Sequence, residues 1–258
     1  MSAELLTHEV RHRRNGTGVL GLVLGCYGFF AVAISGSLSQ TLDNLTKNMP
    51  AGLKAFVGSN VPGGYVVGET FTLIAPIALV GYAVVAGASA VAGEERDGTM
   101  SVLSAQPVTR TGVLLAKAGS LALSLMAVCA LFWAGLALAG QAYTSQLTAG
   151  RMATGTIHLL FLGLAFAAIA LAIGAATGSP ETASSAAGGI AAAAYLANAM
   201  LPLAGLGRWA ALSPWYYALG SDPLRHGIDL AHLSVLTGLG AFAVVVGVLT
   251  FRRRDLKG

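Results

Sequence analysis

Six stretches of the chain run apolar for roughly 20 residues, the length a helix needs to cross a hydrocarbon core about 30 Å thick. They lie at 17–36, 70–93, 118–140, 152–178, 182–206 and 233–251. None holds an Asp, Glu, Lys or Arg, and His158 is the only histidine among them. In lipid, backbone polar groups must be satisfied within the segment, so such runs are helical. The pattern predicts an all-α, polytopic membrane protein with six transmembrane helices. The polar connections differ in kind. In 37–69, Leu38, Leu42, Leu45, Met49 and Leu53 recur at three- to four-residue intervals, which predicts an amphipathic helix on the outer surface. The connection 94–110 is the most charged internal segment, whereas Ser179-Pro180-Glu181 is only a tight turn. Between the last two runs, Trp209, Trp215, Tyr216 and Tyr217 stand with Pro214 and Pro223. The aromatics suit the membrane boundary, and the prolines suit short broken helices that dip back toward it.

Composition narrows the class. Of 258 residues, 55% are hydrophobic and 10% charged, with a mean hydropathy of +0.71; soluble domains carry about 25% charged residues. A water-soluble fold is excluded on that ground. The first apolar run follows Arg11, His12, Arg13 and Arg14 and lacks a small-residue cleavage site, so it reads as a retained helix. With six spans both termini share a side. That side carries ten Lys and Arg residues against five on the other, which predicts cytoplasmic termini. The net charge of +4 thus reflects basic membrane flanks rather than nucleic-acid binding.

Cys26 and Cys129 lie in apolar runs without metal-ligand spacing and read as packing residues. Gly21 and Gly25, like Gly174 and Gly178, put small faces one turn apart for close helix contact, within the chain or across a dimer face. Pro76 and Pro202 are expected to kink their helices.

The missing chemistry is informative too. There is no GxxxxGK[ST] phosphate loop, HExxH pair or GxSxG elbow, so a complete ATPase and the common hydrolases are excluded. Ser184 and Ser185 start one span and His158 starts another at the opposite face, which leaves no Ser/His dyad. His158 reads as a hydrogen-bonded boundary residue. Ion-coupled transporters keep charged side chains inside their spans; their absence here points to an external energy source.

The segment Glu94-Glu95-Arg96-Asp97-Gly98-Thr99 opens the charged connection. A turn at Asp97–Gly98, a cap at Thr99, and Met100, Leu103 and Pro107 predict a short amphipathic helix. Composition alone reads it as a solvated loop. The run AGEERDGTMSVLSAQPVTRTGVLLAK at 92–117, however, resembles the signature of ABC-2 type permeases, the membrane-spanning subunits of ATP-driven exporters. MPAGLKAFVG at 49–58, LSPWYYALGSDPLRHG at 212–227 and the closing FRRRDL at 251–256 match that family in order, as does the basic N-terminal segment.

The resemblance implies a single ABC-2 type transmembrane domain over 1–258 that expels an amphiphilic substrate such as a drug, antibiotic or lipid-like molecule. It assigns Glu94, Glu95, Arg96, Asp97, Gly98 and Thr99 to a cytoplasmic coupling helix that docks on the ATP-binding subunit. Leu5, Leu6, Val10, Arg11, Arg13 and Arg14 go to a cytoplasmic surface helix, and Pro214, Trp215, Tyr216, Tyr217 and Pro223 to an external re-entrant segment. The implied partners are a separate ATP-binding subunit, which holds the ATP and Mg, and a second permease chain, the same or related. The expected location is the cell membrane, with no cofactor, metal or catalytic residue in this chain. A secondary transporter or channel, or a non-transporting membrane assembly factor, are the alternative readings. Glu94 and Glu95 are expected to pair with basic groups of the ATPase or of the Arg11–Arg14 segment.

Overall fold

The computed structural model describes residues 3–46, 64–98, 109–143 and 147–254. Its described residues are helical, with no strand. In chain order the helices are α1 (Ala3–Thr46), α2 (Gly64–Glu69), a π turn (Thr70–Ile74), α3 (Ala75–Arg96), α4 (Arg110–Ala142), α5 (Ala149–Thr177) and α6 (Pro180–Met200). A 3-10 turn (Gly207–Leu212) and two short helices, α7 (Pro214–Leu219) and α8 (Pro223–His226), lead into α9 (Leu230–Arg253).

Among the described residues, five stretches are long and apolar enough to cross a membrane: Arg13–Ser35, Val67–Arg96, Arg110–Ala142, Ala149–Thr177 and Leu230–Arg253. The fifth expected span is present as α6 but is not among them. It is built on Ala, Gly and Ser and stops at Met200, six residues before the expected end. Pro202 therefore follows a helix instead of kinking one. The outer surface carries exposed Val19, Leu22, Phe30, Val85, Leu138 and Phe242, as a lipid-facing bundle requires.

Local chemistry sets the helix ends. Thr109, Thr148, Ser179, Ser213 and Asp229 are N-caps whose side-chain oxygens accept backbone N–H groups of the first turn. Gly178 closes α5 in the left-handed region at φ 68°, and Pro180 opens α6, so the turn expected at 179–181 forms as read. Pro76 does not produce a simple kink. The preceding residues widen into the π turn, where Ala75 N–H reaches back five residues to Thr70 O.

Other helix boundaries also differ from expectation. α1 is helical without a break from Ala3 to Thr46, so the N-terminal segment extends the first span instead of forming a separate element, and the helix passes Gly36. The side chains of Leu38, Leu42 and Leu45 are not described, and Met49 and Leu53 lie outside the described residues. α4 begins at Arg110, eight residues before the apolar run, because its cap is Thr109.

α1 packs chiefly on α4, α3 on α5, and α5 on α9, with α6 against α3 and α5. Small residues allow close approach. A Cβ on Gly25 would stand 2.8 Å from Leu131 O, and one on Gly174 would stand 2.8 Å from Ala88 O. Both glycine pairs thus serve packing within the chain. The helices run alternately between two ends. One end gathers Glu9, Glu94, Glu95, Lys117, Glu181 and Arg254 through direct contacts. At the other, Tyr143 meets Phe29 with ring centroids 6.1 Å apart, and Thr154 bonds to Pro223. Both ends of the described chain sit at the charged end.

Candidate functional site

Successive residues of a helix point about 100° apart, so Glu94, Glu95 and Arg96, in the last turn of α3, face three directions. Each finds a different helix. Glu94 pairs with the Lys117 ammonium on α4, which also donates to Glu9 Oε1 on α1 at 2.7 Å. The Lys117 side chain is 2% exposed and that of Glu9 8%. Arg13, one turn beyond Glu9, donates to Ala86 O at 3.0 Å on α3. Two carboxylates and two cations thus balance where α1, α3 and α4 meet. Removing one member of such a buried set strands the others, at a cost of about 3–5 kcal/mol.

Glu95 points the other way and pairs with Arg254, the residue that follows α9. The Arg254 guanidinium also donates to Ala175 O at 3.0 Å, at the end of α5. Its carbonyl accepts from Arg110 Nη1 at 2.7 Å, the first residue of α4. A Cβ on Gly178 would collide with this guanidinium and stand 2.6 Å from Glu95 Oε2, so the glycine is what lets the pair sit there.

Arg96 lies outside. It meets Glu181 at 3.1 Å and Asp97 at 3.1 Å with more than half of each side chain exposed. Glu181 is held below the usual carboxylate range by the backbone N–H it accepts, then by Arg96 and by Ser179. The signature residues thereby link α3 to α1, α4, α6 and the end of α9, with α5 joined through Arg254. Toward the Arg11–Arg14 segment, Glu94 lies close enough to Arg13 for their charges to attract, while its ion pair is with Lys117. Glu94 is bonded to Lys117 and Glu95 to Arg254 because both carboxylates are turned into the bundle.

Asp97 and Gly98 form the expected turn, with Gly98 at φ 72° and its N–H on Glu95 O at 3.3 Å. Thr99 and the expected short helix after it lie outside the described residues. Val10, Arg11 and Arg14 are exposed on α1, and Arg13 is half-buried in the charged set. Leu5 and Leu6 lie on the helical backbone of α1, their side chains not described.

Sequence reading missed Glu9, the depth of Lys117, and Arg254. Lys117 did carry a signal: a lone Lys between GVLLA and AGSLAL sits where a charge has to be paired. Glu9, an acid within a basic segment, carried a weaker one. Nothing local marks Arg254 among its arginine neighbours.

At the opposite end Trp215 is buried and donates through Nε1 to Ala191 O at 3.1 Å, while Ser213 Oγ donates to Ala194 O at 2.8 Å. α7 thus lies along α6, and Trp215 contacts Tyr195 at 4.8 Å and Phe166 at 6.2 Å between centroids. Pro214 opens α7, and Tyr216 and Tyr217 stack around His232 at 5.5 and 5.2 Å. Pro223 is buried, and its carbonyl accepts from Thr154 Oγ1 at 2.6 Å. His158 is fully buried, with Nδ1 2.9 Å from Thr154 O and Nε2 accepting from Asp229 N at 3.4 Å. That pattern assigns the proton to Nδ1 and leaves the ring a structural strut. Among the described residues no cluster of His, Cys, Asp and Glu is placed to hold a metal ion.

The family model described as ABC-2 family transporter protein matches residues 3–256. No curated protein matches the chain.

Proposed function

Since the chain belongs to the ABC-2 transporter family, we propose that it is the membrane permease of an ATP-driven exporter, coupled through the end of α3. The observation that carries this reading is the Glu94-Glu95-Arg96 turn. Each of its side chains is bonded to a different element, so a push on the adjoining segment is shared across the bundle. Rigid-body shifts of packed helices transmit such a push, where a solvated loop would absorb it. Members of the family generally work with an ATP-binding subunit in a membrane. In this reading a separate subunit binds ATP and Mg and docks on the segment 94–110.

We read the bundle as one domain with six spans, α6 completing the count. Alternation between the two ends supports this, because α6 starts beside Arg96 and ends beside the 207–229 segment. The ten basic flanking residues favour a charged end that faces the cytoplasm. The α7–α8 segment then dips back from the outside, supported by Trp215 reaching nine residues below the end of α6. The outward face of α6 mixes small Ser185, Ala186, Gly189, Ala192 and Ala193 with exposed Ile190, Leu196 and Met200. Such a mixed small and apolar face suits an amphiphilic substrate moving along a path shared with a second permease.

Copurification with an ATP-binding subunit, followed by turnover assays with candidate amphiphiles, tests the proposal. Association and substrate-stimulated ATP turnover are expected, with both reduced in Gly98→Val and Glu95→Ala. Transport that continues with no ATP-binding partner overturns it. Single cysteines at 97 and 222, in a background lacking Cys26 and Cys129, should label only from the inside and only from the outside respectively.

A further inference from the structure

The segment 94–110 stands on two feet that belong to different parts of the bundle. Glu95 is on α3, which packs mainly on α5, and Arg110 is on α4, which packs mainly on α1. Yet both feet are bonded to one residue. The Arg254 guanidinium holds the Glu95 carboxylate, and the Arg254 carbonyl receives the Arg110 guanidinium at 2.7 Å. Resting on the coupling reading above, we propose that Arg254 is a positioning residue that clamps both feet of the coupling segment to the C-terminal end of α9 and to the α5–α6 turn.

The clamp is anchored on a third side, since Arg254 Nη1 donates to Ala175 O at 3.0 Å. A guanidinium is suited to this: its planar fork serves a carboxylate and a carbonyl together in one fixed geometry, which an ammonium on a flexible stem does not impose. The Glu95 side chain is 6% exposed, and among the described residues its other oxygen, Oε1, is buried without a hydrogen-bond partner. Arg254 is therefore what compensates the Glu95 charge. Gly178 leaves the space the guanidinium fills. A displacement of either foot accordingly moves the other, together with α9 and the α5–α6 turn.

The test uses the full chain in lipid nanodiscs, with and without its ATP-binding partner. Spin labels at cysteines replacing Asp97 and Thr111, in a background lacking Cys26 and Cys129, report the distance between the feet; a pair at 143 and 221 reports the opposite end. Arg254→Gln should broaden the 97–111 distribution at least about two-fold and leave the 143–221 pair unchanged. Arg254→Lys, which keeps the charge and loses the fork, should broaden it partway and decides the matter if the Gln variant does not accumulate. The swap Glu95→Arg with Arg254→Glu restores the ion pair without the bond to Ala175 O and should narrow the distribution partway relative to Arg254→Gln. An unchanged 97–111 distribution overturns the clamp, as does equal broadening at both ends. Broadening at the feet with wild-type ATPase association and substrate-stimulated turnover leaves the clamp standing and overturns the coupling reading instead.

Discussion

The two ends of the bundle are held together by different forces. At the end that gathers both termini, helices are joined by side-chain charges: Lys117 with Glu9 and Glu94, Glu95 with Arg254, Arg96 with Glu181. At the other, side chains bond to backbone and aromatic rings fill the gaps: Trp215 on Ala191 O, Ser213 on Ala194 O, Thr154 on Pro223 O. A carbonyl of a formed helix offers one fixed acceptor. At the charged end one ammonium, Lys117, serves carboxylates from two different helices, and Glu95 is tied to Arg254, so a shift of one helix there is passed to the others. Motion imposed from outside would be received at the first end and pivot on the second.

The largest expected effect comes from removing the hub of the charged end. Lys117→Met leaves buried Glu9 and half-buried Glu94 without their ammonium, and should cost about 3–5 kcal/mol. Thermal unfolding in nanodiscs measures it, and adding Glu9→Gln should recover part of the loss. A melt unchanged from wild type would mean that the buried charges are not what joins α1 to α3 and α4.

Gly98→Val acts chiefly on the backbone, since among the described residues nothing lies within 4 Å of a Cβ there. Holding a β-branched residue at positive φ costs on the order of 1–3 kcal/mol. Hydrogen exchange should quicken at residues 93–98 and stay constant in α7 and α8. Trp215→Phe tests the other end. It removes the hydrogen bond to Ala191 O and about a third of the ring atoms from a buried site, so roughly 1–3 kcal/mol is expected, read as a lower melting temperature with the charged end unaffected.

Smallest is Arg96→Ala, where an exposed pair in high dielectric is involved. No change in melting is expected; the readout is titration. Glu181 titrates below its unfolded value, so the associated stability is present above ordinary carboxylate pH and fades as pH falls through the lowered value. In Arg96→Ala the Glu181 carboxyl signal, followed by carbon-detected NMR, should shift back toward the usual range.

The sequence made the helical class legible because lipid forces the pattern: six apolar runs correspond to six long helical regions, and capping residues mark most boundaries. The count of spans was less legible. α6 trades Leu and Val for Ala, Gly and Ser, which lowers its hydropathy while leaving it packed on α3 and α5. The start of α4 was hidden for the opposite reason, since Arg110 and Lys117 look like a loop until their partners are known. The EER turn was recognisable as a motif, but its directions were not. Which side of a helix a charge faces follows from the 100° step; what it meets there depends on Glu9 and Arg254, 85 and 159 residues away.

The π turn at Thr70–Ile74 carries one residue more than an α-helix would use for the same rise. Deleting a residue from it would restore regular winding and rotate everything before it by about 100° relative to α3. Val67 and Phe71, now buried, with Phe71 facing Phe132 at 5.6 Å, would swing off the core while Leu79 stayed put. The turn is thus a phase adjuster. It makes helix length here a matter of parity with the core, so single-residue insertions and deletions between 67 and 75 should be tolerated far less than substitutions at the same positions.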